Sequence, residues 1–487
     1  MIALGLAEIE EALGGRLVLP FGAGRELTVS GSVETDSRLV SAGSVFFALP
    51  GEVTDGHLFA PEAVANGAAL VIAERELELD APQLVVPDGL AALAALARVV
   101  VARVRALGSL RVVGITGSNG KTTTKNLLSA ILEGEGPTVA PQGSFNNQVG
   151  APISMLRIDE RTEYLIVEMG ASGVGEIARL VSIATPDVGV VLKVGLAHAG
   201  EFGGIEATQR AKAEMVTELR SEAVAVLNAD DPRVAIMADQ TRARTVFFGL
   251  SAGSDVRAEE LHATATGTRF ALAVDGERYD VRLRILGEHH VSNALAAITV
   301  ARELGVPIER AVAAVETVAR AERWRMELLD PGNGIVVIND AYNASPDSTA
   351  AALKTLAQII TPGQRSVAVL GEMAELGEYA AEEHDRIGRL AVRLNIGKLY
   401  VVGERARHIH AAAGLEGSWD GESVFVADID RAYDLLREEL RAGDVVLVKS
   451  SKSAGLRFLG DRIGGADSVS DSAHSDARRA SNGGATA

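Results

Sequence analysis

The chain contains no cysteine. That excludes disulfide staples, cysteine-ligated zinc, iron–sulfur clusters and thiol nucleophiles together. Aromatic residues are scarce, at 4%, which leaves little for the stacking platforms that single-stranded nucleic acids need. Positive charge is in deficit: 47 Lys and Arg against 65 Asp and Glu give a net charge of −18, so a nucleic-acid duplex would be repelled. Long apolar runs are missing as well. Mean hydropathy is slightly positive, yet the most apolar helical stretch, 90–97, runs into Arg98, Arg103 and Arg105. That is far short of the ~20 apolar residues of a membrane span. The N-terminal stretch carries Glu8, Glu10 and Glu11 where a secretory signal would carry basic residues and an apolar run, so a soluble, cytoplasmic protein is expected.

What is present is length. The chain has 487 residues, 47% apolar and 23% charged, which at ~100–200 residues per domain asks for about three domains. Residues 1–108 read as a small α/β domain, with short strands at 44–49, 69–73 and 83–86 and a closing helix over 89–106. Residues 109–320 carry apolar strand-like runs at 111–116, 164–168, 187–192 and 223–227 with helical patterns between them, the mark of a buried parallel sheet. Polar–apolar alternation around Asp275-Gly276 adds a hairpin, followed by helices near 291–304 and 308–319. Residues 321–465 repeat the doubly wound pattern, with strands at 335–338, 366–370, 398–402 and 444–448, as in Rossmann-like domains. The last stretch, 466–487, has almost nothing to bury and is expected to be a disordered tail.

The sharpest motif is Thr116-Gly117-Ser118-Asn119-Gly120-Lys121-Thr122-Thr123, between a predicted strand and a predicted helix over 121–132. Glycines let backbone N–H groups converge on a phosphate, and the helix N-terminus favours the anion. Lys121 would neutralise the β- and γ-phosphates of ATP, and the Thr122 hydroxyl would hold Mg²⁺. The usual consensus places Gly where this chain has Ile115, with Gly117 instead; a glycine-rich strand-to-helix turn is the plain alternative. Asn146 and Asn147 read alone as a turn. Glu168 ends a strand, where hard oxygen suits Mg²⁺, or is simply solvated. His198 lies in a loop and Lys212 on a charged helical face, each ordinary in isolation. Asp340 follows a strand and is placed to accept from a ribose, while Ser345-Pro346-Asp347 is also good helix-start chemistry.

Together these segments resemble the Mur ligase family from Met1 to about Gly465. The carriers are the 116–123 loop, Phe145-Asn146-Asn147, Glu168-Met169-Gly170, His198, Lys212, the run 286–295 and Asp340-Ala341-Tyr342-Asn343-Ala344-Ser345-Pro346. The last of these, with Asp36-Ser37-Arg38 and the segments 43–49 and 55–57, resembles the members that add a D-alanyl-D-alanine unit. The resemblance implies three α/β domains: UDP-substrate binding, a P-loop-type ATPase, and a C-terminal ligase domain. It implies an ATP-dependent amide bond between UDP-N-acetylmuramoyl-tripeptide and D-alanyl-D-alanine, through an acyl phosphate, in peptidoglycan synthesis. ATP and two Mg²⁺ follow, since positioning and charge neutralisation dominate phosphoryl transfer.

Carried over by position, Gly117 to Thr123 hold the phosphates, and Lys121, His198 and Lys212 match catalytic positions. Glu168 and His198 match ligands of the second Mg²⁺, Thr122 one of the first. Lys212 matches a lysine that members carboxylate, and the carbamate could hold Mg²⁺. Asn293, Arg325, Asp340, Tyr342 and Asn343 match nucleotide-lining positions, and Ser37, Arg38, Asn146 and Asn147 match substrate positions. Lys449 and the Ser450–Ser453 loop fall near the cleft. The chain departs from the family at His289-His290, where His-Asn is common, and at Trp324-Arg325, where Gly-Arg is common. A monomer is expected. Rival readings are a related ligase adding a diamino acid or glutamate, and an inactive scaffold of the same fold.

Overall fold

A computed structural model describes residues 1–22, 24–51, 54–196, 203–320, 322–417 and 419–466. His198 and the expected tail beyond Ala466 lie outside the described residues. By internal contacts the chain forms two compact units: Met1–Val194 with Gln209–Arg257 and Asn293–Val315, and Gly195–Thr208 with Ala258–Ser292 and the chain from Glu316 onward.

Among its described residues the first unit contains a small two-stranded antiparallel sheet, Leu4–Gly5 with Thr28–Val29, and two larger ones. Near the N-terminus a five-stranded sheet has the order Arg16–Val18, Gln83–Val85, Leu70–Ala73, Val45–Ala48, Val33–Glu34. Only the first pair is antiparallel. Val45–Ala48 and Leu70–Ala73 are apolar at every position and wholly buried, as strands covered on both faces must be. The helix Gly89–Ala106 starts where the Asp88 carboxyl accepts from Ala91 N at 2.9 Å. It buries Leu93, Leu96, Val100 and Val104, a stripe at three- and four-residue spacing.

The other larger sheet has nine strands, and its parallel part runs Val256–Thr264, Arg244–Gly249, Val224–Asn228, Val188–Val191, Arg111–Thr116, Tyr164–Glu168, Thr138–Val139. From Arg111–Thr116 the chain leaves toward Thr138–Val139, whereas from the adjacent Val188–Val191 it leaves the other way, toward Val224–Asn228. Neighbouring strands whose connections part in opposite directions leave a crevice beyond their carboxyl ends, where ligands bind in open α/β sheets. The phosphate-loop motif lies there.

The second unit holds a six-stranded sheet, ordered Glu327–Leu329, Val336–Asn339, Asp444–Lys449, Arg365–Leu370, Lys398–Val402, Glu422–Val426. The first pair is antiparallel and the rest parallel. Ile338 packs with Leu370, Leu399 and Leu447 on one face, while Val337, Val367 and Val446 pack on the other. The expected hairpin forms from Gly267–Val274 and Glu277–Leu283, and its turn residues Asp275 and Gly276 have φ of +53° and +81°, as a tight two-residue turn requires. This hairpin groups with the C-terminal unit.

In the first unit one carboxylate knits several elements together. Asp187 accepts from Arg105 Nη1 at 2.8 and 2.9 Å, from Val112 N at 2.8 Å and from Arg220 Nη2 at 3.0 Å. It thereby ties the end of the Gly89–Ala106 helix to the start of the motif-bearing strand. Asp187→Ala should lower unfolding stability by about 1.5–3 kcal/mol, the worth of hydrogen bonds to a charged group. Urea denaturation measures this, and an unchanged midpoint would contradict the assigned role.

Candidate functional site

The strand Arg111–Thr116 ends in a tightly turned loop. Gly117 has φ +149° and Gly120 φ +89°. A Cβ at Gly117 would fall 2.9 Å from Leu192 Cβ and 3.2 Å from Lys193 N, and one at Gly120 would fall 2.3 Å from Asn293 Oδ1. Gly117 therefore needs glycine for conformation and for space, and Gly120 for conformation. Ser118 N donates to Lys193 O at 2.8 Å, and Lys121 Nζ donates to Gly117 O at 2.6 Å. The helix Lys121–Leu132 follows at once. The backbone N–H groups at its start and the Lys121 ammonium converge on this loop, a donor set that fits a nucleotide's phosphates.

A cluster of oxygens lies beside it. The Glu168 carboxyl, only 1% exposed, accepts from the Thr122 hydroxyl at 3.1 and 3.3 Å and from Asn146 Nδ2 at 2.9 Å. Ser144 Oγ is 3.1 Å from Thr122 Oγ1. Hydroxyl and carboxyl oxygens at these spacings suit Mg²⁺, which takes few protein ligands and shares the rest of its shell with water and phosphate. Among the described residues no group of three or more His, Asp or Glu could hold a metal ion, so the fit rests on Thr122 and Glu168.

The cluster depends on the segment 141–146, and a buried lysine fastens that segment. Lys125 is 2% exposed and donates from Nζ to Pro141 O at 2.8 Å and Gly143 O at 3.1 Å. Sequence reading missed it, although its place four residues after Lys121, on the helix's inward face, was a usable signal. Ser144 was missed too. Gly170 N donates to Asn146 O at 2.7 Å and Thr116 Oγ1 to Met169 O at 2.8 Å, closing the strand ends together. Asn147 does different work: its Oδ1 accepts from Val149 N at 3.2 Å and Gly150 N at 2.8 Å, ordering the start of the short helix Gly150–Met155.

Lys212 is buried on the helix Ile205–Thr217. Burial first, and then the nearby charge of Lys121, push its ammonium down to about 7, against the opposing pull of Glu176 and Glu214. Glu214 takes Gly175 N at 2.5 Å and Ala178 N at 3.0 Å, which fixes this helix against the start of the helix Glu176–Ala184 and so sets where Lys212 points.

In the C-terminal unit, Lys449 is 2% exposed and donates to Asp340 Oδ2 at 2.6 Å and Asn343 O at 3.0 Å. Asp340 Oδ1 accepts from Met326 N at 3.0 Å. Arg325 lies with its guanidinium 4.3 Å above the Tyr342 ring, a cation–π contact. The residues on either side of it, Trp324 and Met326, have φ of +59° and +48°. That conformation explains why glycine is favoured at 324; here the indole Nε1 is held instead by Asp461 Oδ1 and Oδ2 at 3.0 and 2.9 Å. His290 is buried 4.1 Å from the His289 ring, and burial, followed by the charges of His289, Arg325 and Lys449, holds it neutral well below its ordinary range.

Ser37 and Arg38 lie outside the N-terminal sheet, in the 3-10 turn Ser37–Leu39 that follows its strand Val33–Glu34. Ser37 Oγ donates to Glu62 Oε2 at 2.7 Å, and the exposed Arg38 pairs with Asp36 at 2.6 Å. Its guanidinium holds the Asp36 carboxyl below the usual carboxylate range. The structure thus gathers Gly117, Gly120, Lys121, Thr122, Asn146, Glu168 and Asn293 in the first unit, and Arg325, Asp340, Tyr342 and Asn343 in the second.

The lysine anchor gives a direct test. Lys125→Met frees two carbonyls and should weaken binding of magnesium–nucleotide by about tenfold, a loss of roughly 1–2 hydrogen bonds' worth of positioning. Titration calorimetry reads this, and unchanged affinity in a folded variant would contradict the anchoring role.

Comparison with known proteins divides the chain into three. Three family models match: the Mur ligase family catalytic domain over residues 31–107, the Mur ligase middle domain over 115–301, and the Mur ligase glutamate ligase domain over 324–452. The UDP-N-acetylmuramoyl-tripeptide--D-alanyl-D-alanine ligase of Mycobacterium bovis is 46% identical over 95% of this chain and 98% of its own. Among solved structures, MurF from Acinetobacter baumannii superposes with a TM-score of 0.85 at 30% identity, covering 95% of this chain and 98% of that one. MurF ligase from Thermotoga maritima, in complex with ADP, superposes with a TM-score of 0.77 at 30% identity, covering 88% and 96%. With three domain matches in register and a relative this similar along nearly its whole length, the chain belongs to the Mur ligase family.

Proposed function

We propose that this chain is an ATP-dependent ligase that joins D-alanyl-D-alanine to UDP-N-acetylmuramoyl-tripeptide, forming the peptidoglycan pentapeptide precursor and releasing ADP and phosphate. The observation that carries the reading is the 46% identity over 95% of the chain to a ligase of that name, joined to a phosphate loop and an oxygen cluster assembled from the expected residues. The domains divide the work: 1–108 takes the UDP end through Ser37 and Arg38, 109–320 takes ATP, and 321–465 takes the acceptor. Action in the cytoplasm as a monomer belongs to the same reading. No described helix is long and apolar enough to cross a membrane.

Thr122 would hold one Mg²⁺, and Glu168 beside it would hold a second with His198 and a carboxylated Lys212. Bound Mg²⁺ supplies neutralisation of the phosphate charge. The remaining chemistry is positioning and charge. Backbone N–H groups of Gly117 to Thr123 and the Lys121 ammonium fix the triphosphate, and Asn293, Arg325, Asp340, Tyr342 and Asn343 line the nucleotide. Asn146 and Asn147 border the substrate. The tripeptide's terminal carboxylate attacks the γ-phosphorus, and the bond to the ADP oxygen breaks, leaving an acyl phosphate. The dipeptide amine then adds to the acyl carbon, loses its proton, and expels inorganic phosphate.

Two measurements test this. Phosphate release with the UDP-tripeptide should require D-alanyl-D-alanine; turnover with glutamate or a diamino acid in its place would sink the assignment. The lowered position of Lys212, near 7, leaves much of it as neutral amine above that pH, the form that adds CO₂, whereas acid restores the ammonium. Carbon-13 bicarbonate should therefore give a carbamate resonance at pH 8 that fades below pH 7 and is missing in Lys212→Ala. That variant should lose about 100-fold or more in turnover, as when a charge-stabilising group is removed. A wild-type protein without the resonance at pH 8 would contradict carboxylation.

A further inference from the structure

The C-terminal sheet has a crevice of its own. Asp444–Lys449 leads into the helix Leu456–Gly464, which packs back over Val336–Asn339 and Asp444–Lys449. The adjacent Arg365–Leu370 leads the other way, toward Lys398–Val402. The two loops that leave these strand ends, 371–376 and 450–453, therefore flank a crevice at a switch point of the sheet.

These loops are laced to each other and to the Asp340–Ala344 segment. Gly371 N donates to Lys449 O at 2.9 Å, Ser451 N to Glu372 O at 2.8 Å, and Ala374 N to Ser451 Oγ at 2.8 Å. Ser451 Oγ in turn donates to Ala344 O at 3.3 Å. Beneath the 371–376 loop lies His384, 2% exposed on the helix Ala380–Arg393. Met373 N donates to His384 Nε2 at 3.0 Å, and His384 Nδ1 is 2.6 Å from Ala380 O. A carbonyl oxygen only accepts, so Nδ1 must carry the proton, and Nε2 must be bare to take the Met373 N–H. One tautomer satisfies both neighbours. An imidazolium would set two N–H groups against each other at Met373. The loop also carries a strained residue: Glu375 has φ +64°, a conformation that a non-glycine residue keeps only where its surroundings impose it.

We propose that His384 is a positioning residue for the acceptor: as the neutral Nδ1–H tautomer it holds the 371–376 loop at the crevice, and its protonation releases that loop. The proposal rests on the reading of the C-terminal unit as the acceptor domain. The charged and titratable groups facing the ring are Glu372 on the loop, Glu383 on its own helix and His408 on the helix Arg407–Leu415. Glu372 is itself paired with Arg405 at 3.4 Å. Burial outweighs the favourable pull of Ala380 O and the two carboxylates and lowers the ring's affinity for a proton, so the tautomer persists at neutral pH and is lost only on acidification.

The test compares wild type with His384→Gln and His384→Leu. A Gln amide oxygen reaches the place of Nε2 and accepts the Met373 N–H at every pH; Leu cannot. At pH 8, His384→Leu should raise the KM for D-alanyl-D-alanine about fivefold or more, the loss of one buried hydrogen bond. The KM for ATP should stay within about twofold, and His384→Gln should lie within about twofold of wild type in both. The ratio of wild type to His384→Gln in kcat/KM for the dipeptide, which cancels ionisation of the substrate, should hold through the ordinary histidine range near ~6.5 and fall only at more acid pH, because burial lowers the ring's proton affinity. A ratio constant across pH, or an ATP KM that rises with the dipeptide KM, would overturn the proposal. Amide hydrogen exchange of Met373 decides the matter apart from activity. Protection kept in His384→Gln and lost in His384→Leu supports the lock, even if a different acceptor proves correct; equal protection in both overturns it.

Discussion

A carboxyl group taken out of water has to be met by donors, and the candidate site is organised by the way Glu168 meets that requirement. It sits at the end of a parallel strand, almost wholly enclosed, and draws Thr122, Asn146 and, through Thr122, Ser144 toward itself. These partners come from two segments distant in sequence from the strand and from each other. The phosphate loop, the 141–146 segment and the Tyr164–Glu168 strand are therefore fixed relative to one another by one side chain. The same arrangement is what a divalent cation and a nucleotide require: hard oxygens beside a helix start, held in a set whose members satisfy one another. Lys125 complements it, since its buried ammonium satisfies two backbone carbonyls and so fastens the 141–146 segment.

The C-terminal unit solves a similar problem with the opposite charge in the centre. Lys449, at the end of its strand, is compensated by the Asp340 carboxylate and by a carbonyl. Asp340 passes the constraint on to Met326, and so to Arg325, whose neighbours hold left-handed conformations. Strain of that kind costs about 1–3 kcal/mol per residue and survives only when the surroundings insist on it. Here Asp461, bonded to the Trp324 indole, is part of that insistence. Burying Lys449 and Asp340 together is thus less a source of stability than a means of specifying one geometry.

Much of this could be read from the chain alone. Helices Gly89–Ala106 and Lys121–Leu132 and strands Arg111–Thr116, Tyr164–Glu168 and Lys398–Val402 follow the apolar pattern closely, because buried parallel strands and stripe-forming helices leave a strong signal. Short edge strands such as Thr138–Val139, Thr28–Val29 and Glu422–Val426 escaped it, since two to five residues of mixed polarity carry little periodicity. The tight glycine turn at 117–120 and the place of Glu168 at a strand end were legible because they are encoded locally. The partners of Lys125 and His384 were not: these side chains meet backbone groups 16 or more and 11 residues away, and nothing in a linear pattern announces such pairings. Trp324 is instructive in the other direction, for an unusual residue at a glycine-favouring position became intelligible only once its φ and its bond to Asp461 were seen.

If the Thr122 and Glu168 oxygens form the cation-dependent part of the nucleotide site, with the glycine loop and Lys121 supplying the rest, then removing one carboxylate charge should separate the two contributions. Calorimetric titration of ADP into wild type and Glu168→Gln, each with and without Mg²⁺, makes that separation. Wild type should bind ADP more tightly when Mg²⁺ is present, whereas Glu168→Gln should keep its Mg²⁺-free affinity and lose most of the enhancement. An enhancement of equal size in both proteins would contradict the cation-binding role of this carboxylate.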